Sequence, residues 1–188
     1  MGAQFHGEWT WTMFDDAHFH SSRGTSFIGA QFHGKWTFFD RAQFHGERTS
    51  FGRAKFHGKQ TSFEDAQFHS KWASFEDAQF HGEWASFKAA QFHGEWASFE
   101  DAQFHSKRAS FKAAQFHGEW ASFKAAQFHG EWASFKAAQF HAKRTSFQNP
   151  LAWSHVYFDW DPRPPYAPIT EKPDSVLPEA WPPTVQDT

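Results

Sequence analysis

The hydrophobic positions of this chain form a repeat of twelve residues that runs from Ala30 to Phe147, with phenylalanine at two fixed places in each copy. The clearest copy is AQFHGEWASFKA at residues 114–125. A helix turns about 100° per residue, so each copy would rotate the pattern by about 120° and no helical face would collect the rings. The spacings between phenylalanines are five and seven, both odd, so neighbouring rings would lie on opposite faces of a flat strand. The pattern therefore predicts short extended segments with a turn between each pair of phenylalanines.

The two intervals between phenylalanines differ in the variation that they accept. The interval of five is constant from Phe14–Phe19 to Phe135–Phe140, whereas the other is nine, then eight, and then seven residues long. The variable interval holds a glycine that Ser or Ala replaces in some copies and a tryptophan that Arg or Gln replaces in others. Insertions and such mixed side chains are typical of a surface segment. We therefore expect a bulged corner in the variable interval and a packed wall in the constant one.

Without the Glu-Trp dipeptide, each copy contains two five-residue units, AQFHG and ASFKA. Each unit has a central Phe and a small residue two positions earlier, as in Ala78-Gln79-Phe80 and Ala85-Ser86-Phe87. This pattern resembles the pentapeptide-repeat family over about residues 3–149. The resemblance implies an all-β, right-handed, four-sided parallel β-helix in which each side is one pentapeptide and the Phe and the small residue point inward. The two extra residues per twelve depart from the family's pattern.

A four-sided coil uses two copies, or 24 residues, so side chains 24 positions apart are expected to stack. With a strand spacing of about 4.8 Å, residues 3–147 form about six coils in a rod about 29 Å long. The alternative is a coil of twelve residues, as in small insect antifreeze β-helices. Two phenylalanines per coil are too bulky for such an interior.

Composition divides the chain into three parts. Phe occupies 26 of 188 positions and Cys none, so the predicted core consists of stacked rings and alanine without disulfides. All nine prolines lie between Pro150 and Pro183. We expect the repeat solenoid in residues 1–149, an aromatic cap in 150–161 and a disordered proline-rich tail in 162–188. The alternative for LAWSHVYFDW in the cap is a disordered linker.

Histidine recurs every twelve residues and carries the main chemical hypothesis. Under the predicted coil the histidines form two outward ladders, His33/57/81/105/129 and His45/69/93/117/141. Imidazoles about 4.8 Å apart could share Zn²⁺, Ni²⁺ or Cu²⁺. The candidate metal ligands are His81, His105 and His129 on one ladder and His69, His93 and His117 on the other. The alternative is an exposed position copied with the repeat, since no Asp, Glu or Cys column completes a ligand set; no cofactor is predicted. Stacked imidazoles also predict a loss of stability below about pH 6.

Charge and aromatic residues define the candidate partners. Residues 1–149 carry 16 Lys and Arg against 15 Asp and Glu. Some members of the family that this chain resembles mimic DNA and bind topoisomerases, and the near-neutral balance argues against this role and against nucleic-acid binding. Charge columns such as Glu76, Glu100 and Lys124 are interpreted as keeping one face of the rod soluble.

The candidate interaction surface is the column of Trp72, Trp96 and Trp120, and the alternative is that these exposed tryptophans have no binding role. The proline-rich tail is a second candidate for a protein partner, and end-to-end self-association is a further expectation.

The main prediction for function is a non-catalytic structural or protein-interaction scaffold. Every His-containing unit is the same unit, so no asymmetric set of nucleophile, base and orienting group stands out for an enzyme. The alternative is a metal- or proton-responsive module that acts through the histidine ladders. No apolar run reaches the roughly 20 residues of a membrane span, and no signal peptide begins the chain, so a cytoplasmic location is expected. A recent tandem duplication without a selected function, or a fragment of a longer protein, also fits the pattern.

Overall fold

The secondary structure of the protein consists of short parallel strands joined by turns. The computed structural model describes residues 2–6, 10–161 and 168–186, and no helix occurs among them. In these described residues, 27 strands form four parallel sheets of seven, seven, six and seven strands. Within the described residues, therefore, no helix is long and apolar enough to cross a membrane.

Each sheet takes one strand from each coil, and we number the sheets in the order in which the chain enters them. The first sheet contains Gln4–Phe5, Gln31–Phe32, Lys55–Phe56, Gln79–Phe80, Gln103–Phe104, Gln127–Phe128 and Ala152–Trp153. The second contains Trp11–Met13, Trp36–Phe38, Gln60–Ser62, Trp84–Ser86, Arg108–Ser110, Trp132–Ser134 and Val156–Tyr157. The third contains His18–Phe19, Gln43–Phe44, Gln67–Phe68, Gln91–Phe92, Gln115–Phe116 and Gln139–Phe140. The fourth contains Thr25–Ser26, Arg48–Ser50, Trp72–Ser74, Trp96–Ser98, Trp120–Ser122, Arg144–Ser146 and Val176–Leu177.

The register of the strands confirms the coil of 24 residues. Gln79 pairs with Gln103 in the first sheet, and Ala97 pairs with Ala121 in the fourth. The alternative coil of twelve residues is excluded because neighbouring copies lie in different sheets. Extra residues near the N-terminus lengthen the corners while the strands stay paired, as Gln4 with Gln31 shows.

The core is a set of phenylalanine columns, one column for each side of the coil. Phe99 lies parallel to Phe75, with ring centroids 4.8 Å apart, and perpendicular to Phe87 at 5.2 Å. The small residue two positions before each Phe is also buried, as at Ala97 and Ala102. Stacked and edge-to-face contacts are the two arrangements that aromatic rings favour. The predicted interior of Phe and small residues is therefore confirmed.

The constant interval forms a tight turn at every level. Phe75 O accepts a hydrogen bond from Ala78 N at 3.1 Å, and Asp77 between them has a φ of 55°. This is the pattern of a type II turn, in which the third residue has a left-handed conformation. Alanine occupies that strained position in four later turns, at Ala89, Ala113, Ala125 and Ala137.

The turn predicts that two neighbouring alanines respond oppositely to glycine. Ala113 has a φ of 56°, so Ala113→Gly removes backbone strain and should raise the free energy of unfolding by about 0.5–1 kcal/mol. Ala114 is fully buried, so Ala114→Gly should lower it by about 1–2 kcal/mol through a lost methyl contact and a more flexible unfolded chain. Urea unfolding of the two variants measures both values. A loss of stability in Ala113→Gly would contradict the assigned turn.

The variable interval forms a second corner that has two conformations. Gly82 has a φ of 93°, and a Cβ there would collide with the carbonyl oxygen of Gly58 one coil below. Where serine replaces glycine, the path changes: Ser70 N donates to Phe44 O, and Ser70 Oγ donates to Thr49 Oγ1 at 2.7 Å. The corner therefore accepts more than glycine, as the sequence indicated. The tryptophan is not in the corner itself, because it begins the three-residue strand that follows.

The C-terminal region covers the last coil of the solenoid. Phe158 stacks on Phe135 with ring centroids 4.7 Å apart, and Val156–Tyr157 extends the second sheet. The sequence predicted a disordered tail from residue 162, but Val176 pairs with Thr145 and Trp181 packs edge-on against Phe158 at 4.9 Å. An apolar end and an open strand edge explain this docking, since both gain from being covered. Residues 162–167 and 187–188 of the predicted tail lie outside the described residues.

Candidate functional site

The fourth sheet carries an aromatic column that is bounded by arginine at both ends. Its strands begin with Arg48, Trp72, Trp96, Trp120 and Arg144, one in each successive coil. Trp72 pairs with Trp96, and Trp96 with Trp120, so the structure places the three predicted tryptophans side by side. Residues Trp72 and Trp96 are 41% and 45% exposed. The column therefore presents aromatic surface to solvent along one face of the rod.

The arginines at the two ends of this column contact the indole rings. The guanidinium carbon of Arg48 lies 4.6 Å from the Trp72 ring centroid, and that of Arg144 lies 5.9 Å from the Trp120 centroid. Trp96 and Trp120 contact each other in a tilted arrangement with centroids 5.9 Å apart. A cation over an indole face is attracted by the ring quadrupole. The faces of these tryptophans thus accept guanidinium groups within the chain itself.

A groove of about 580 Å³ runs beside the exposed tryptophans, and we call it the tryptophan groove. One wall is aromatic and the other is formed by the turn that follows each strand. Small residues lie between the two walls. Their hydroxyls bond to the backbone of their own turns: Ser74 Oγ accepts a hydrogen bond from Glu76 N, and Ser98 Oγ accepts one from Glu100 N. The residues that line the groove are Ile28, Arg48, Ser50, Gly52, Arg53, Trp72, Ala73, Ser74, Glu76, Asp77, Trp96 and Ser98.

The turn wall of the groove carries charges of both signs, Arg53 beside Glu76 and Asp77, and the sequence interpretation did not assign it to a site. Glu100 and Asp101 occupy the turn one coil further on, outside the groove lining. Among the described residues, none of these four carboxylates forms a salt bridge. A signal was present in the sequence, because both Glu-Asp pairs lie four and five residues after a tryptophan of the same column.

The second sheet carries another tryptophan column. Its strands begin with Trp11, Trp36, Gln60, Trp84, Arg108 and Trp132, so polar residues interrupt the aromatic surface. The corner residues beside it include both signs of charge, and Lys59 Nζ lies 3.5 Å from Glu83 Oε1. The guanidinium carbon of Arg108 lies 5.8 Å from the Trp84 ring centroid. The corner residues beside the fourth sheet pair in the same way, with Lys71 Nζ 3.4 Å from Glu95 Oε1 and Lys143 Nζ 2.8 Å from Glu119 Oε1.

The histidines form the two predicted ladders on the outside of the first and third sheets. Successive imidazoles are parallel, with centroids 4.8 Å apart from His45 to His69 and 5.2 Å apart from His81 to His105. In most rungs Nε2 of the histidine lies within hydrogen-bond distance of the glutamine Oε1 two residues earlier, for example 3.1 Å in His93 and 3.2 Å in His105. Since that oxygen only accepts, Nε2 carries the proton.

The ladders lower the affinity of several imidazoles for protons. Burial is the largest cause of the lowered pKa in each case, and neighbouring cations are the second. For His93 those neighbours are His69 and His117, and for His81 the neighbour is Lys55. The histidines whose pKa is lowered are His45, His57, His81, His93, His105 and His117.

The geometry of the ladders does not assemble a metal centre. Zn²⁺ binds imidazole nitrogen at about 2.0–2.1 Å along the lone pair, which lies in the ring plane. Parallel stacked rings direct their lone pairs alongside each other, so a shared ion would require the rings to rotate. No group of three or more His, Cys, Asp or Glu side chains suited to a metal is present in the described part of the chain. Metal binding by His81, His105 and His129, or by His69, His93 and His117, stays a prediction.

Four parallel sheets around a phenylalanine core define a β-solenoid of about six turns. The family model described as pentapeptide repeats (9 copies) matches residues 39–91. This match confirms the resemblance to the pentapeptide-repeat family over that segment. Neither a curated protein nor a solved structure matches the chain.

Proposed function

We propose that the protein is a non-catalytic interaction scaffold that holds an extended segment of a partner protein in the tryptophan groove. The observation that carries this proposal is the exposure of Trp72 and Trp96 side by side above a groove of about 580 Å³. Tryptophan is enriched at protein interfaces because it offers a large, rigid contact area. The continuous backbone ladder beneath it holds the groove in one shape, which lowers the entropy cost of binding.

The absence of a catalytic role is part of this proposal. The polar groups that recur on the surface are copies of one another, and the serine hydroxyls beside the groove accept hydrogen bonds from the backbone of their own turns. A catalytic centre needs different groups with different roles at one place. A cytoplasmic location is likewise part of this proposal.

The scaffold proposal predicts peptide binding that depends on one face of the rod. A random peptide library displayed on phage is selected on the wild-type protein, and enriched clones are then tested on Trp96→Arg and Trp84→Arg. Both substitutions use a residue that the chain already has at equivalent positions, Arg48 and Arg108, so both variants should fold. We expect clones that lose binding to Trp96→Arg at least about tenfold and keep binding to Trp84→Arg. A selection that yields no clone with this difference would overturn the proposal.

A second candidate function is a response to acid through the histidine ladders. The lowered pKa of His57, His81 and His105 on one ladder supports it, because a protonated imidazole is disfavoured in the folded rod. The expected effect is a loss of folding stability as the pH falls.

A further inference from the structure

A cavity of about 280 Å³ lies beside the second sheet, where the C-terminal segment docks, and we call it the cap pocket. Its walls include Trp132, Tyr157 and Ile169, and its charged groups are Lys112, Lys136 and Asp159. None of these residues lines the tryptophan groove. The volume is close to the lower limit for small-molecule sites, so the pocket has room for one small molecule.

The apolar walls of the cap pocket arise because the last coil departs from the repeat. The column that holds serine in earlier coils, as at Ser110 and Ser134, holds Tyr157 in the last one. A phenol ring therefore follows a small, buried residue at this point of the sheet. Ile169 N donates a hydrogen bond to Asp159 O at 2.7 Å, and this contact brings the isoleucine of the docked segment to the pocket. Aromatic and aliphatic walls of this kind favour a flat, apolar body.

The charged groups of the cap pocket are two cations and one anion. Lys112 and Lys136 occupy the same turn position in successive coils. In the part of the chain that the structure describes, neither ammonium group forms a salt bridge, whereas Lys88 one coil earlier pairs with Glu64. Asp159 Oδ2 accepts a hydrogen bond at 2.6 Å from the backbone N–H of the turn below it. Two lysines against one aspartate leave an excess of one positive charge in the lining.

This excess distinguishes the cap pocket from the two grooves on the sides of the rod. The tryptophan groove is lined by two arginines and two carboxylates. The groove that contains Trp36 and Trp84 is lined by three cations and three carboxylates. Balanced sets of charges give no preference for a charged ligand. The cap pocket combines apolar walls with an unbalanced charge, so it favours an anion that also has an apolar body.

We propose that the cap pocket binds a small aromatic carboxylate, whose ring lies against Trp132 and Tyr157 and whose carboxylate group lies between the side chains of Lys112 and Lys136. Ring contacts with tryptophan and tyrosine favour an aromatic body over an aliphatic one. Each lysine ammonium group has three donors and a full charge, so two of them suit the two oxygens of a carboxylate. This site goes beyond the scaffold function, since it does not use the tryptophan groove.

The test compares indole-3-acetate with indole-3-acetamide, which has the same ring and nearly the same shape but no charge. Binding of each compound to the full chain is measured by isothermal titration calorimetry at low and high salt. We expect the acid to bind at least about fivefold more tightly than the amide at low salt, with a difference that shrinks as salt rises. Acetate, which lacks the ring, should bind at least about tenfold more weakly than the acid. Equal affinities of acid and amide, equal affinities of acid and acetate, or no binding of the acid would overturn the inference.

Two substitutions with the same change in net charge locate the site. Lys136→Glu places a carboxylate in the pocket, and it should fold because Glu64 occupies the equivalent turn position of the same column. Lys124→Glu makes the same change in the turn that follows the fourth sheet, where Glu100 occupies the equivalent position. The first variant should weaken indole-3-acetate at least about fivefold, and the second less than about twofold. An unchanged affinity in Lys136→Glu, or equal losses in the two variants, would contradict binding in the cap pocket.

Discussion

Phe99→Ala is expected to lower the free energy of unfolding by about 3–5 kcal/mol. The Phe99 side chain is fully buried, and its ring lies 4.8 Å from Phe75 below it and 4.8 Å from Phe123 above it. Alanine removes both stacked contacts and leaves a cavity that rigid coils on either side cannot close. Urea unfolding followed by the fluorescence of the tryptophans measures the loss.

Two further variants show whether the loss comes from the ring column. Phe99→Leu keeps most of the volume without the stacking and should cost about 1–2 kcal/mol. Lys112→Ala, at an exposed turn position, should change stability by less than about 0.5 kcal/mol. Because each coil contacts only its neighbours, Phe99→Ala should also broaden the transition or divide it into two steps. A cost below about 1 kcal/mol for Phe99→Ala would contradict a close-packed phenylalanine core.

The melting temperature is expected to fall by several degrees between pH 8 and pH 5. The histidines with lowered pKa bind protons more weakly in the folded rod than in the unfolded chain, where the pKa is about 6.5. The unfolded state therefore takes up more protons as the pH falls through 6.5, and the folded state loses stability until the pH is below the folded pKa. Scanning calorimetry at intervals between pH 8 and pH 5 measures the change.

The variant His57→Gln/His81→Gln/His105→Gln assigns this pH dependence to a ladder. Glutamine does not titrate, so the variant should keep more of its melting temperature at pH 5 and differ little from wild type at pH 8. Lys55 is a charged neighbour of both His57 and His81 and contributes to the lowered pKa of each. The raised pKa values of Asp40 and Asp101 act nearer the ordinary carboxylate range and in the opposite direction. A pH-independent melting temperature in the wild type would contradict the account.

The solenoid could be predicted from the sequence because its repeat restricts the geometry so strongly. Phenylalanines at spacings of five and seven exclude a helix and a flat strand, and insertions identify the corner in the variable interval. The tight turn in the constant interval, which was expected to be a packed wall, did not follow from the insertions. The positions of Trp72, Trp96 and Trp120 on one face then follow from the 24-residue coil alone. The left-handed conformation of Ala113 did not follow, since alanine is an unusual choice for it.

The prediction from composition was wrong for the part of the C-terminal segment that docks on the solenoid. Proline-rich composition predicts disorder when a segment is considered by itself. Here the end of the solenoid offers an unpaired strand edge and exposed rings, so a two-residue strand at Val176–Leu177 and the single Trp181 side chain are enough for docking. The turn wall of the groove was also missed, because the sequence alone does not show that Arg53, Glu76 and Asp77 line a groove beside Trp72 and Trp96.

The coil of 24 residues underlies the ladders, the groove and the core, and the absence of cysteine allows it to be tested directly. Gln79→Cys/Gln103→Cys places two thiols on adjacent strands of the first sheet, where Cα atoms about 4.8 Å apart suit a disulfide. Gln91→Cys/Gln103→Cys places them twelve residues apart in different sheets. Under mild oxidation of the folded monomer, we expect an intramolecular disulfide in the first variant and free thiols in the second. Rapid disulfide formation in the second variant, with free thiols in the first, would contradict the fold and every surface derived from it.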